Sequence, residues 1–281
     1  MIIWLASYPK SGNTWVRSII SSILFSDDGK IKDFNLLENI DQYPTKKYFK
    51  GLVKNFEDGV EIQKNWINSQ IRINKDKKVK FFKTHHLYCK YGDNSFTDAN
   101  NTLGVIHIVR DPRDLINSLK HHWSLSDSHE SMNKLLDVQN ATGLKMEDDK
   151  NYSFPVMISS WNNHYNSWKK IKKNYLLIKY EDLIDNPKLQ IEVIVKYLQK
   201  FTNFEINDKK IQNIVKTTTF DNFKNLEKKG LFKESNLNQS GERKTFFNQG
   251  PYSNWKKFLN EGIIRKIEEK FLDEMKELNY L

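Results

Sequence analysis

Short apolar runs recur along the chain and predict buried β-strands. The clearest are Ile2–Ala6, Val79–His86, Leu103–Val109 and Tyr175–Leu183. After the first and third of these runs, apolar residues recur at helical spacing, as in Trp15–Leu24 and Leu115–Trp123. This alternation predicts an α/β fold in which helices cover both faces of a parallel sheet. We expect one domain over residues 1–281, because no Pro/Gly/Ser-rich linker or block of charge divides the chain.

The segments between these elements carry weaker patterns. Asp33–Lys75 is polar and helix-rich, and its aromatic residues fit the core better than a ligand pocket. Ser124–Ser153 and Lys224–Lys244 show no sustained period, which predicts mobile loops. Pro155–Ile171 and Glu261–Leu278 predict helices that pack on the core. The pattern alone does not decide whether Asp33–Lys75 and Ser124–Ser153 contact a ligand.

The balance of charge is basic, with 45 Lys+Arg against 35 Asp+Glu. This excess favours an anionic ligand, an acidic substrate or a nucleic acid. The paired lysines stand in polar stretches, which indicates solvated faces, so we do not expect a nucleic-acid partner. Cys89 is the only cysteine and no run is long enough to span a membrane, so we expect a cytoplasmic protein.

A polar turn, Ser7–Thr14, joins the first apolar run to the first helix. Free backbone N–H groups and the positive end of the helix dipole therefore converge where Lys10, Ser11 and Thr14 lie. This arrangement predicts an anion site. It differs from the standard phosphate loop, because Gly12 is its single glycine and Lys10 precedes that glycine.

A second helix N-terminus is predicted at the same edge of the sheet. Leu103–Val109 runs into Arg110, and Asp111 is the expected N-cap of the helix that follows. The guanidinium of Arg110 offers a planar fork for a phosphate, and Ser118 lies two turns into the helix. The alternative is that Arg110 pairs with Asp111 or Asp114.

Two adjacent histidines, His85 and His86, end the second run. Ligands of open α/β sheets bind at the carboxyl ends of strands, and an imidazole there can accept a proton near neutral pH. A lone histidine at such a place is more often a surface or hydrogen-bonded residue. Because side chains alternate along a strand, the two imidazoles cannot both face the site.

Taken as a unit, Tyr8–Trp15 closely resembles the 5′-phosphosulfate-binding loop of the sulfotransferases that use 3′-phosphoadenosine 5′-phosphosulfate (PAPS). Lys83–His85 is similar to the Lys-Thr-His in which these enzymes carry their base, which favours His85 over His86. The segment with Arg110 and Ser118 resembles their 3′-phosphate-binding segment. The resemblance implies a P-loop-kinase-like sulfotransferase fold: a single α/β domain with a central parallel sheet flanked by helices.

Three later segments resemble the family's adenine and closing elements. Tyr180 begins a Tyr-Glu-Asp-Leu run, Thr217–Phe220 is similar to the element that contacts adenine, and Phe246–Lys256 is similar to the C-terminal loop that closes over the nucleotide.

This C-terminal loop departs from the family pattern. Cytosolic members place Arg-Lys before its glycine, and this chain has Asn248 and Gln249 there. Arg243 and Lys244 stand a few residues upstream. Either pair could complete the 3′-phosphate site.

The resemblance implies transfer of a sulfuryl group from PAPS to a hydroxyl or amine, which leaves adenosine 3′,5′-bisphosphate (PAP). It implies His85 as general base, with Lys10 and Lys83 stabilising the developing charge, and no metal. The nucleotide-binding residues that it implies are Lys10, Ser11, Gly12, Asn13, Thr14, Trp15, Arg110, Ser118, Tyr180, Thr218, Phe220, Phe247, Asn248, Gln249 and Gly250. The acceptor, whether a small molecule or a glycan, and the oligomeric state are left open.

Two other functions compete with this one. A nucleotide kinase is the enzyme alternative, but Lys10 lies on the wrong side of Gly12, and no carboxylate follows Val109 directly to hold magnesium. A non-catalytic nucleotide- or polyanion-binding protein is the other. The presence of Lys10, His85 and both phosphate segments argues against it.

Overall fold

The fold is built on a parallel sheet. A computed structural model describes residues 1–143, 154–232, 234, 244–252 and 254–281. The strands are β1 Ile2–Ser7, β2 Asp41–Gln42, β3 Lys80–Thr84, β4 Lys90–Tyr91, β5 Asn94–Ser95, β6 Thr102–Val109, β7 Ala141–Thr142, β8 Val156–Met157 and β9 Tyr175–Lys179. The main sheet has the order β2-β3-β1-β6-β9, and all of its pairs are parallel. The predicted central parallel sheet is confirmed.

The register brings the carboxyl ends of the three middle strands together. Ala6 of β1 lies opposite Thr84 of β3 and His107 of β6. Ser7, the last residue of β1, and His85 and Arg110, which directly follow β3 and β6, therefore lie at one edge of the sheet. This is the edge where ligands of open α/β sheets bind.

Helices cover both faces of the sheet. They are α1 Asn13–Phe25, α2 Lys46–Phe49, α3 Gly59–Lys64, α4 Trp66–Ile73, α5 Pro112–Trp123, α6 Ser128–Leu136, α7 Trp161–Trp168, α8 Tyr180–Asp185, α9 Pro187–Leu198, α10 Asp208–Thr217, α11 Phe220–Lys228, α12 Trp255–Phe258, α13 Glu261–Lys270 and α14 Leu272–Glu277. Short 3₁₀ turns occupy Asn35–Asn39, Asn74–Asp76 and Gly250–Tyr252. Among the described helices, none is long and apolar enough to cross a membrane.

Alternate side chains of β1 enter different cores. Ile3 and Leu5 pack with α1, α9 and α10, whereas Trp4 packs on the opposite face with the aromatic residues of Asp33–Lys75. Tyr43 and Trp66 of that segment are buried, so the prediction that its aromatic residues belong to the core is confirmed. A strand covered on both faces reads as a continuous apolar run, as Ile2–Ala6 does.

Two segments predicted as loops contain helices. In Ser124–Ser153, α6 begins at an Asp127 cap and buries Met132 and Leu135, an apolar pair that the surrounding polar residues conceal. In Lys224–Lys244, α11 extends to Lys228, because Phe223 and Leu226 pack into an aromatic cluster. Residues 144–153, 233 and 235–243 of these two segments lie outside the described residues.

Three predicted elements have different bounds in the structure. The helix predicted over Pro155–Ile171 begins only at Trp161, because residue Ser159 has φ of 65° and the residues before it form β8. The strand predicted to reach Leu183 ends at Lys179, where α8 begins. The last helix is broken at Phe271 into α13 and α14.

Candidate functional site

The turn between β1 and α1 has a fixed shape. Gly12 adopts φ of 101° in the left-handed region, and the ring of Tyr180 packs against it, so that a Cβ here would lie 2.6 Å from Tyr180 Cδ2. The side-chain amide of Asn13 donates to the Leu5 carbonyl oxygen at 3.0 Å and to Ser7 Oγ at 3.1 Å. No side chain of the described residues caps the N-terminus of α1. Its first N–H groups therefore remain available to an anion.

Lys10 lies at the start of this turn, with its ammonium 3.7 Å from the centroid of the Phe246 ring. Burial lowers the pKa of Lys10 to about 7, and the positive charges of Arg110 and Lys83 act in the same direction. A phosphate or sulfate placed here would offset that repulsion and favour the charged ammonium.

Arg110 enters the site from the end of β6. Its guanidinium lies 4.2 Å from the centroid of the Tyr180 ring and donates to the Gly250 carbonyl oxygen at 3.1 Å. Asp111 caps α5 as predicted, and its carboxylate binds Arg113 at 2.7 Å. Among the described residues, Arg110 forms no ion pair with Asp111 or Asp114, and Asp114 accepts instead from the backbone N–H of Trp255 at 3.1 Å. Arg110 is held by carbonyl oxygen and aromatic contacts and keeps its positive charge for a ligand.

The structure separates the two adjacent histidines. The Nδ1 atom of His85 lies 2.8 Å from the carbonyl oxygen of Ser7, whereas His86 is buried and stacks on Phe96 with 4.2 Å between ring centroids. A carbonyl oxygen only accepts, so the neutral His85 ring carries its proton on Nδ1 and leaves Nε2 able to accept one. Burial and the charge of Lys83 hold the pKa of His85 well below its usual value. The ring is therefore neutral at pH 7.

Lys83 lies in the cavity wall two residues before His85, with its side chain 14% exposed. Burial lowers the pKa of the Lys83 ammonium to about 8, although the carboxylate of Glu234, 3.8 Å away, opposes this. The same carboxylate binds both terminal nitrogens of Arg17, which is itself buried.

These elements enclose a cavity of about 520 Å³. Of the predicted site residues, those that line it are Lys10, Gly12, Asn13, Thr14, Trp15, Lys83, His85, Arg110, Ser118, Tyr180, Phe220, Phe247, Asn248, Gln249 and Gly250. Residues from the first to the last part of the chain thus converge on one space.

Two predicted residues do not line the cavity. Ser11 is buried beneath the turn, and its hydroxyl oxygen has no partner among the described residues. Thr218 donates its hydroxyl to the Ile214 carbonyl oxygen at 2.8 Å, at the end of α10. Their assignment to the nucleotide stays a prediction.

The two pairs considered for completing the 3′-phosphate site have different surroundings. Gln249 lines the cavity and accepts a hydrogen bond from Asn117 at 2.6 Å. Lys244 instead binds Ser124 Oγ at 2.7 Å and contributes to the lowered pKa of Lys10. Arg243 lies outside the described residues.

The sequence pattern missed several residues of the cavity wall. They are Pro9, Gln42, Asn117, His121, His122, Trp123, Thr142, Val156, Ile158, Phe223, Glu234 and Phe246. Another missed residue, Glu227, accepts from the backbone N–H groups of Phe246 and Phe247 at 2.5 and 3.0 Å and fixes the closing loop. His122 and Trp123 lie at the end of α5, the helix that the sequence predicts after Arg110, so that prediction could have pointed to them. The sequence holds no such signal for Glu234, because its partners are remote in sequence.

Within the described part of the chain, no group of three or more His, Cys, Asp or Glu side chains is placed to hold a metal ion. The site instead offers cations, backbone donors and a neutral imidazole. Such a set suits anionic groups and proton transfer.

Comparison with known proteins gives consistent results. A family model described as a sulfotransferase domain matches residues 2–279. Sulfotransferase 1 family member D1 of Mus musculus is 23% identical over 98% of this chain and 83% of its own length. Luciferin sulfotransferase of Photinus pyralis is 23% identical over 95% of this chain and 70% of its own. The crystal structure of a mouse sulfotransferase complexed with PAP has a TM-score of 0.59 at 19% identity, covering 97% and 84% of the two chains.

Proposed function

The chain belongs to the sulfotransferase family, and from this premise we propose that it transfers a sulfuryl group from PAPS to a hydroxyl or amine of an acceptor. One observation carries the proposal. The His85 imidazole, the free N-terminus of α1 and the guanidinium of Arg110 all face one cavity. A nucleotide with separate 5′ and 3′ anionic groups needs two anion sites, and transfer to an acceptor needs a base near one of them.

The nucleotide is assigned to the half of the cavity beside α1 and α5. The turn Lys10–Thr14 would hold the 5′-phosphosulfate through its N–H groups and the Lys10 ammonium. Arg110 and Ser118 would hold the 3′-phosphate. Trp15 and Tyr180, whose rings meet edge to face at 5.5 Å, and Phe220 would surround the adenine.

Buried polar atoms around this half support the fit. Asn13 Oδ1, Trp15 Nε1 and Arg110 Nε have no hydrogen-bond partner among the described residues. Unpartnered polar groups are costly in a protein interior, and a bound ligand is one way to satisfy them. The glycine at position 12 also keeps clear the space where a side chain would collide with Tyr180.

His85 is assigned the acceptor proton. Nε2 would take it from the hydroxyl or amine as the acceptor oxygen or nitrogen forms its bond to sulfur. The bond between sulfur and the bridging phosphate oxygen breaks, and PAP leaves with that electron pair. The contact of Nδ1 with Ser7 orients the ring and would stabilise the imidazolium that forms.

Lys10 and Lys83 are assigned to charge stabilisation. Negative charge develops on the bridging oxygen as PAP leaves, and a buried ammonium stabilises it more strongly than one in water.

We expect a small-molecule acceptor beside His85, where Val156, Ile158 and Trp123 give the wall an apolar surface. Cytoplasmic localisation stays a prediction from the sequence.

The test uses ³⁵S-labelled PAPS with 2-naphthol, 2-naphthylamine and an N-acetylglucosamine oligosaccharide. The first two probes differ only in the nucleophile, and the third tests a glycan. We expect label in an acceptor product without added magnesium, and binding of PAP much tighter than of AMP or ATP in calorimetry. Equal affinity for AMP, or a strict magnesium requirement, would contradict the proposal and favour a kinase. Salt-dependent binding of DNA without any response to PAPS would favour a polyanion-binding protein.

A further inference from the structure

The carboxylate of Glu234 lies between two cations, the buried Arg17 and the partly buried Lys83. Its two oxygens bind the terminal nitrogens of Arg17, one at 3.2 Å and the other closer. Arg17 is 3% exposed and lies on α1, one turn beyond Thr14. A guanidinium buried this deeply needs an anionic partner, and the Glu234 carboxylate supplies it, although the Glu234 side chain itself remains 40% exposed.

The same carboxylate reaches into the cavity wall. Glu234 Oε2 lies 3.8 Å from Lys83 Nζ, and the Lys83 side chain is only 14% exposed. Glu234 and Lys83 both line the cavity beside His85. The ion-pair chain Arg17–Glu234–Lys83 therefore connects the first helix to the wall that carries the proposed base.

The described groups around Lys83 are otherwise neutral or positive. The positive charge of Arg17 lowers the pKa of Lys83, and the charge of Lys83 in turn lowers the pKa values of Lys10, His85 and His122. Glu234 is the group that favours the charged ammonium of Lys83. Without this carboxylate, Lys83 would face the positive charge of Arg17 directly. Its side chain would then lose both its anchor and the interaction that keeps it charged.

We infer that Glu234 is a positioning residue: held by Arg17, its carboxylate fixes the Lys83 ammonium in the cavity wall beside His85. This role rests on the proposed function, in which Lys83 stabilises charge during sulfuryl transfer. Lys83 has a pKa of about 8, and burial has already lowered it. Loss of Glu234 therefore lowers that pKa further and reduces the fraction of Lys83 that is charged near neutral pH.

The matched variants are Glu234→Gln, Glu234→Asp and Glu192→Gln. Glutamine keeps the shape and removes the charge, and aspartate restores the charge. Glu192 pairs with Lys188 on α9 at 3.7 Å and controls for the loss of one carboxylate elsewhere. The midpoint of thermal unfolding reports whether each variant is folded, independently of the proposed function.

The first measurement does not depend on activity. Competitive acetylation over a range of pH, read by mass spectrometry, gives the titration midpoint of Lys83. We expect a midpoint near pH 8 in the wild-type and Glu192→Gln proteins, a lower one in Glu234→Gln, and recovery in Glu234→Asp. An unchanged midpoint in a folded Glu234→Gln protein overturns the inference.

The second measurement is kcat as a function of pH with PAPS and the 2-naphthol or 2-naphthylamine probe. For a midpoint lowered by one unit, kcat of Glu234→Gln falls about fivefold at pH 8 and up to about tenfold at higher pH, and it approaches the wild-type value near pH 6. Glu234→Asp recovers most of the loss, and KM for PAPS changes little. Unchanged kcat with tighter acceptor binding means that the carboxylate only blocks the cavity, which overturns the role. A shifted midpoint in a protein that transfers no sulfuryl group overturns the proposed function instead.

Discussion

The ring of Tyr180 lies directly against Gly12, in the position where a side chain would begin. A Cβ at Gly12 would stand 2.6 Å from Tyr180 Cδ2, and Gly12 has φ of 101°. The residue after β9 therefore shapes the turn after β1. The same ring supports the Arg110 guanidinium at 4.2 Å, so one tyrosine links the two proposed phosphate sites.

We predict that Gly12→Ala weakens PAP binding about tenfold or more. A left-handed conformation costs an L-residue about 1–2 kcal/mol, and the added methyl group also displaces the Tyr180 ring. Calorimetry with PAP measures the loss.

Gly51 gives a matched control, because it has φ of 75° and a Cβ added there would have no heavy atom of the described residues within 4 Å. Gly51→Ala carries the same kind of backbone strain without the collision. It should lower thermal stability slightly and leave PAP affinity unchanged. Equal affinities in the two alanine variants would mean that Gly12 does not shape the nucleotide site.

The sequence predicts the elements whose pattern is local. β1, β6 and the turn after β1 are each coded by a short run of residues, and the cap of α5 by Asp111 at the end of β6. The meeting of these residues in one cavity also follows from the positions where the strands end, since parallel strands present their carboxyl ends at one edge of the sheet.

Contacts between remote residues could not be predicted in this way. Glu234 meets Arg17 across 217 positions, and only the folded chain shows that they are neighbours. The helix α6 was missed for a different reason. The apolar part of its buried face consists of Met132 and Leu135. A polar stretch with only two or three apolar positions has the pattern of a loop.

We predict that His85→Ala lowers kcat about 10²–10⁴-fold and leaves PAP affinity nearly unchanged. The imidazole is assigned to the acceptor proton, and the nucleotide contacts come from other residues. Steady-state turnover with ³⁵S-labelled PAPS and calorimetry with PAP separate the two effects.

The neighbouring histidine should behave differently. His86 stacks on Phe96 and donates from Nδ1 to the Leu87 carbonyl oxygen at 2.7 Å. His86→Ala should therefore lower the free energy of unfolding by about 1–3 kcal/mol and retain turnover per folded molecule. Loss of turnover in a stable His86→Ala protein, with normal turnover in His85→Ala, would mean that His86 and not His85 takes the acceptor proton.

We predict that the Asn248→Ala/Gln249→Ala double variant loses about tenfold in affinity for PAP and little for adenosine 5′-phosphosulfate. Both residues line the cavity next to Gly250, whose carbonyl oxygen accepts from Arg110. A hydrogen bond to a charged group contributes about 1.5–3 kcal/mol. The ligand without a 3′-phosphate serves as the internal control in calorimetry.

Lys244→Ala should weaken both ligands to a similar extent, because the charge of Lys244 acts near Lys10, at the proposed 5′-phosphate site, and both ligands carry an anion there. Its loss should also make the remaining affinity less sensitive to salt. If Lys244→Ala weakens PAP alone, then the upstream basic residues complete the 3′-phosphate site and Asn248 and Gln249 do not.

We expect Lys10 to make nucleotide binding depend on pH. Burial, with Arg110 and Lys83, lowers the pKa of Lys10 to about 7 in the free protein, and a bound phosphate raises it. Below pH 7 the ammonium is charged in both states, so this group adds no pH dependence. Above pH 7 the complex holds more protons than the free protein. PAP affinity should therefore fall as pH rises from 7 to 9.

We predict that PAP binding takes up protons at pH 8, and that Lys10→Arg abolishes most of this uptake because arginine stays charged. Calorimetry in two buffers of different ionisation enthalpy measures the number of protons. Lys83, with a pKa of about 8, accounts for what remains, and Lys83→Arg should remove that part. The PAP phosphates have their second pKa near 6, so protonation of the ligand contributes little at pH 8. The same uptake in wild-type and Lys10→Arg proteins would show that Lys10 does not contact the phosphate.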